Sequence, residues 1–286
     1  MIRTRVIVGS LLALAASGVL IGDGYLAPWF PWFPCLFGCL LVLGVLAGRE
    51  LVQLFPPIFR PPEGLVLAGL FLTHVANWYD VIRGQLVSNL PAAGSAWTPV
   101  LFAFTAVLLA AFLVETYRYR EPGAAVPRLA LAVFAVAYLG LLGSFFARLR
   151  WLDHGDLILT LTIFVPKCGD IGAFFTGTFL GRHRMTPILS PKKTWEGFAG
   201  GLVASVLTAV GLSFAGPVFA NGIVEAVAFG LVVGLAGVLG DLAESLIKRD
   251  GQTKDAAKSI PGFGGVLDVI DSVLFAAPVA YVWFRI

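Results

Sequence analysis

The sequence predicts an all-α fold, a polytopic bundle of about nine transmembrane helices with a cytoplasmic N-terminus, and three observations predict it. Of 286 residues, 58% are hydrophobic and only 13% charged, and the mean hydropathy is +0.88, outside the range of a water-soluble domain. Apolar runs of roughly 20 residues, the length that crosses a hydrocarbon core of about 30 Å as a helix, recur along the chain. Trp29, Trp32, Trp78, Trp97, Trp151 and Trp195 fall near the ends of those runs, where amphipathic rings settle at headgroup level.

The first span, 6 to 22, follows Arg3 and Arg5 and resembles a leader, but no cleavage pattern closes it, so it is read as a retained helix. Spans follow at 31 to 48 and at 64 to 82, the latter carrying His74, Asn77 and Asp80, which are costly in lipid unless partnered. The runs 98 to 115, 128 to 147 and 197 to 215 are uninterrupted. The run 156 to 181 contains Lys167 and Asp170, and the runs 223 to 246 and 266 to 284 carry acids at their ends. With the N-terminus inside, fifteen of the 20 Lys and Arg lie in inside segments, Arg83, Arg148, Arg150 and Arg285 lie outside, and Lys167 lies in a span. That asymmetry obeys the positive-inside rule and puts the loops 182 to 196 and 247 to 265 together on the cytoplasmic side.

No long linker or clear repeat interrupts the chain. It is read as one membrane domain, 1–286, with a scaffold of helices in 1–150 and the chemically informative residues in 151–286. The formal charge of +3 is too small to imply nucleic acid. Cys35, Cys39 and Cys168 sit in apolar runs without metal-ligand spacing, so no disulfide framework is expected.

Chemistry concentrates in Gly240 to Ser272. Asp241 and Glu244 are three apart near the end of one span, and Asp268 and Asp271 repeat that spacing at the start of the next, so each pair shares a helix face. Carboxylates so close to hydrocarbon call for partners or a hard cation, most simply Mg²⁺. The plainer alternative is ordinary pairing with Lys248, Arg249 and Lys254. The intervening PGFGG, Pro261 to Gly265, can turn backbone amides of Gly264 and Gly265 toward phosphate at a helix N-terminus; it can equally be a tight turn back into the bilayer. On the other inside loop, Lys192 and Lys193 suit a polyphosphate, Ser190 and Thr194 can donate hydrogen bonds, and Glu196 suits a lysine or a metal. An interfacial basic anchor beside Trp195 is the alternative. Lys167 and Asp170, three apart inside a span, either neutralise each other or serve a function.

Ser245, Lys248, Arg249, Lys254, Asp255, Pro261, Gly264, Gly265, Asp268 and Asp271 stand at the spacing of the phosphatidate cytidylyltransferase signature, which this stretch resembles. SPKKTWEG at 190 to 197 and Asp170 with Gly172-Ala173-Phe174 resemble two further segments of that family, and the likeness runs over roughly 167 to 272. Phe263 and Val269 depart from it, standing where the family has His and Arg.

The resemblance implies an enzyme that transfers cytidylyl from CTP to phosphatidate or a related lipid phosphate, giving CDP-diacylglycerol and pyrophosphate. It implies Mg²⁺ on Asp241, Glu244, Asp268 and Asp271, with room for a second, monovalent cation. Asp268, Asp271, Asp241 and Lys248 are then the expected catalytic set. Ser190, Lys192, Lys193, Glu196, Arg249, Lys254, Asp255, Gly264, Gly265, Lys167 and Asp170 are the expected substrate contacts. The expected location is a bacterial inner membrane with the site facing the cytoplasm, and the expected partners are CTP, the lipid phosphate, membrane lipids and a second copy of the chain. The alternatives are a CTP-dependent lipid kinase, a cytidylyltransferase for another lipid phosphate, and a secondary transporter coupled through Lys167 and Asp170.

Overall fold

A computed structural model describes residues 2–86 and 95–285; the side chains of 2–6 and 85–86, and so Arg3 and Arg5 among the inside cations, lie outside the described residues. The helices are α1 (Ile2–Leu26), α2 (Pro34–Leu54), α3 (Glu63–Ala76), α4 (Tyr79–Leu86), α5 (Thr98–Arg118), α6 (Ala125–Ala135), α7 (Leu142–Arg150), α8 (Gly155–Phe179), α9 (Trp195–Ser213), α10 (Ile223–Asp250) and α11 (Val266–Arg285). A π-helical turn, Val136–Leu141, joins α6 to α7, and a hairpin of β1 (Arg184–Thr186) and β2 (Ser190–Thr194) precedes α9. Eight segments among the described residues are long and apolar enough to cross a bilayer, with Ala125–Arg150 counting as one.

The ninth apolar run becomes the 14-residue α3, about 21 Å long at 1.5 Å per residue. Its polar groups explain the early end. Asn77 Nδ2 donates to Thr73 O at 3.0 Å and to Ser144 Oγ at 2.8 Å, while Thr73 Oγ1 donates to Gly69 O at 2.7 Å. The donor groups of both side chains are thus satisfied by helix backbone or a neighbouring hydroxyl, as a low-dielectric setting demands, while Asn77 Oδ1 has no partner among the described residues.

The chain divides into two compact units. The first comprises Met1–Ala147 and Ala256–Leu267. Its core is built from α2, α3 and α5, with Leu51, Val52, Val66 and Leu70 almost wholly buried. Buried Asp23 of α1 caps α2, accepting from Cys35 N at 2.8 Å and Leu36 N at 2.9 Å. The N-terminal residue of that helix offers no side-chain cap of its own, so a carboxylate supplies the missing acceptors.

The second unit comprises Arg148–Asp255 and Asp268–Ile286. Here α9 lies against α8 and α10 along small residues, and a side chain added at Gly200 would overlap Thr176. Ser205 Oγ of α9 donates to Val165 O at 3.1 Å, just before Pro166 inside α8. The hairpin pairs Arg184 with Thr194 and Thr186 with Ser190. Thr194 then caps α9 by accepting from Gly197 N at 3.1 Å.

Candidate active site

All of the site's ionic contacts form within the second unit, where α8, α10, α11 and β2 bring distant parts of the sequence together. Glu244 and Lys248, four apart on α10, pair directly, and Lys248 Nζ also donates to Asp268 Oδ1 of α11 at 2.6 Å. Lys167 Nζ of α8 reaches Asp170 Oδ2 and Asp271 Oδ1, each at 3.3 Å. Lys193 Nζ of β2 meets Asp241 Oδ2 of α10 at 2.6 Å. Ser272 Oγ donates to Asp170 Oδ2 at 3.0 Å. Among the described residues, Asp170, Asp241, Glu244, Asp268 and Asp271 thus share three ammonium groups.

A glycine allows α10 and α11 to meet at this level. A Cβ on Gly240 would stand 2.5 Å from the backbone oxygen of Asp271 and 3.1 Å from Cβ of Phe275. The close approach places one carboxylate oxygen from each of Asp241, Glu244 and Asp271 within 4.8 Å of one another. Glu244 is completely buried and Asp271 nearly so. Lys248 reaches Glu244 Oε2, whereas buried Oε1 has no partner among the described residues. A buried acceptor left in that condition is costly, and a bound ion is one way to satisfy it. These three residues could hold a small cation. Asp268, expected beside them, is not one of this trio and shares Lys248 with Glu244.

The other expected residues lie as follows. Glu196 meets neither a lysine nor the acid cluster: Oε2 accepts from the backbone amides of Arg182 at 3.0 Å and His183 at 3.2 Å, and Oε1 lies 2.6 Å from His183 Nδ1. It fastens the start of the hairpin to the first turn of α9. Arg249 Nε donates to Leu189 O at 3.2 Å, so its guanidinium ties α10 to the hairpin. Ser190 is half-buried, and Lys192, Lys254 and Asp255 are exposed. In the PGFGG turn, Phe263 N and Gly264 N both donate to Ile260 O, at 3.1 and 3.0 Å, and Ile260 N donates back to Gly264 O at 2.7 Å. Of the two amides expected to cradle phosphate, that of Gly264 is therefore engaged within the turn. Ser272 is a polar member of the site region that only the tertiary structure reveals, since it belongs to no charged pair in the sequence.

A model of the family described as "Cytidylyltransferase family" matches residues 3–286. The chain belongs to the cytidylyltransferase family. It is a nucleotidyltransferase, an integral membrane protein, and takes CTP and a lipid phosphate. Among curated relatives it is similar to a phosphatidate cytidylyltransferase of Staphylococcus aureus, 31% identical over 247 residues, 83% of this chain and 85% of the relative. The protein of that name from Bacillus subtilis is 32% identical over 220 residues, 76% of either chain. The one from Mycobacterium bovis is 34% identical over 166 residues, 57% of this chain and 52% of the relative.

Proposed function

We propose that this cytidylyltransferase joins CTP to phosphatidate, giving CDP-diacylglycerol and pyrophosphate, with Mg²⁺ held by Asp241, Glu244 and Asp271 at the cytoplasmic face of a bacterial inner membrane. The observation that carries the reading is the trio of carboxylates, two of them buried, in a cluster of five acids and three lysines, in a chain whose relatives bear that enzyme name. The donor set fits the ion: oxygen ligands only, from three residues of which two are buried, with Glu244 Oε1 left without a donor among the described residues. When bound, the ion would neutralise charge on the reacting phosphates.

The chain's own groups supply the remainder. A non-bridging oxygen of the lipid phosphate forms a bond to the α-phosphorus of CTP, the α–β bridging bond breaks, and pyrophosphate leaves with that electron pair. The nucleophile is already anionic, so no side chain needs to remove a proton, and catalysis consists of alignment and charge neutralisation. Lys193 and Lys248 stand at the carboxylate cluster with ammonium groups suited to phosphate oxygens, and Lys192, next to Lys193 on β2, is exposed. Lys167 and Ser272 hold Asp170 and Asp271 in place from α8 and α11. The excess of inside Lys and Arg supports a cytoplasmic orientation, where CTP is found.

The test is pyrophosphate release by purified protein with CTP and Mg²⁺, with and without phosphatidate. Label at the α-phosphorus of CTP should enter the lipid and label at the γ-phosphorus should not; the reverse pattern identifies a kinase. Asp271→Asn in folded protein should abolish nearly all transfer. A rate within about threefold of the parent, roughly 0.7 kcal/mol of transition-state stabilisation, would overturn the assignment of Asp271.

A further inference from the structure

An acid in the first unit takes no part in the carboxylate cluster and was not singled out by any motif. Glu50 lies near the end of α2, 6% exposed, with no cation paired to it among the described residues. Its Oε1 accepts from Ser259 Oγ at 2.7 Å and its Oε2 from Leu267 N at 2.9 Å. Both donors are more than 200 positions away in the chain. Leu267 belongs to the first turn of α11, so the carboxylate occupies the place where a helix start favours an anion. Gly265 turns its bare Cα toward the same group: a Cβ there would come within 2.8 Å of Glu50 Cδ and 3.0 Å of Oε1. Between the two anchor points the loop reverses through Gly262 and Gly264, at φ +85° and +107°. Phe263, at the turn, faces Gly9 of α1, where an added Cβ would lie 3.3 Å from the ring.

We propose that Glu50 is a positioning residue for cytidylyl transfer, fixing the 256–267 segment and the first turn of α11 without touching substrate, with Phe263 over Gly9 as the apolar half of the same clamp. An ionisable group inside a span is retained at a cost of several kcal/mol unless it serves a purpose, and two long-range hydrogen bonds to one loop give that purpose. The clamp also assigns the two positions that need explaining in this loop. Gly265 lacks a side chain because the carboxylate passes over it, and Phe263, where the related signature carries His, works by packing on α1. The proposal rests on the reading that the acids of α11 serve the transfer.

Two measurements on the purified full-length protein test it: hydrogen exchange over 256–267, and steady-state kinetics with CTP and phosphatidate. Glu50→Ala should accelerate exchange there at least tenfold. It should also raise KM for CTP about tenfold with kcat within about threefold, because a loop in place only part of the time weakens apparent affinity by that fraction. Glu50→Gln keeps an acceptor and should fall between parent and Glu50→Ala; it carries the test if the alanine variant does not fold. Gly265→Ala should be harmful alone and add nothing in the Glu50→Ala background. Parental exchange in Glu50→Ala, or additive effects of the two substitutions, would overturn the clamp. Faster exchange with unchanged KM and kcat would overturn the positioning role. Asp271→Asn separates this from the underlying reading: parental transfer in that variant refutes the site, whereas parental exchange in Glu50→Ala refutes only the clamp.

Discussion

Replacing Gly240 by alanine tests whether the spacing of α10 and α11 builds the carboxylate trio. The added methyl would stand 2.5 Å from the backbone oxygen of Asp271, about 1 Å inside the ~3.5 Å at which non-bonded heavy atoms rest. Neither neighbour is a flexible side-chain tip, since the obstacles are backbone and the Cβ of Phe275 at 3.1 Å, so the two helices must separate. Overpacking of this kind costs about 1–3 kcal/mol, and an ångström of misplacement at reacting groups costs about 100-fold in rate. We expect Gly240→Ala to lower the transition temperature modestly and transfer of α-labelled cytidylyl by about 100-fold, with a larger Mg²⁺ requirement. Gly211 has open space around its Cα, so Gly211→Ala in the neighbouring helix should leave both unchanged. A Gly240→Ala protein with parental rate and Mg²⁺ dependence would refute the argument that helix contact sets the ligand geometry.

Other substitutions probe separate contacts. Lys248→Met leaves buried Glu244 and Asp268 without their ammonium and should destabilise the protein by about 3–5 kcal/mol, seen as a fall in thermal midpoint in detergent. Thr194→Ala removes the cap of α9 and should cost about 1 kcal/mol, with faster hydrogen exchange confined to the first turn of α9. Arg128→Ala breaks the half-buried pair with Glu115, Nε to Oε2 at 2.8 Å, and should lower the thermal midpoint while leaving kcat/KM within about twofold; a selective loss of kcat/KM would contradict a purely structural role.

Hydropathy made the spans legible because length and apolar content are local properties, whereas α3 is shorter than its apolar run and Asn77 at its end bonds to Ser144, 67 positions on. The Glu244–Lys248 and Lys167–Asp170 pairs were readable too, since three and four residues make one helical turn. What periodicity cannot carry is the partner from another helix. Lys193 with Asp241, Lys167 with Asp271, and Lys248 with Asp268 follow from packing alone. Glu196 looked like a ligand by its charge but spends that charge on two backbone amides, a use with no signature in side-chain spacing. Glu50, next to Arg49 just past the predicted end of the second span, had nothing in the local sequence to mark its two distant partners.

The near balance of ammonium and carboxylate groups has a consequence for how the enzyme is assembled. Five acids against three lysines leave a deficit small enough that the helices can insert and dock before any divalent ion arrives, in contrast to small metal domains that unfold without theirs. Loading and folding then become separate events. Chelation of the membrane-extracted enzyme should silence transfer yet leave its helicity and most of its thermal midpoint in place, and returning Mg²⁺ should restore the rate without a refolding lag. On the Mg²⁺ site proposed above, a newly inserted chain would wait, folded and inactive, for its ion.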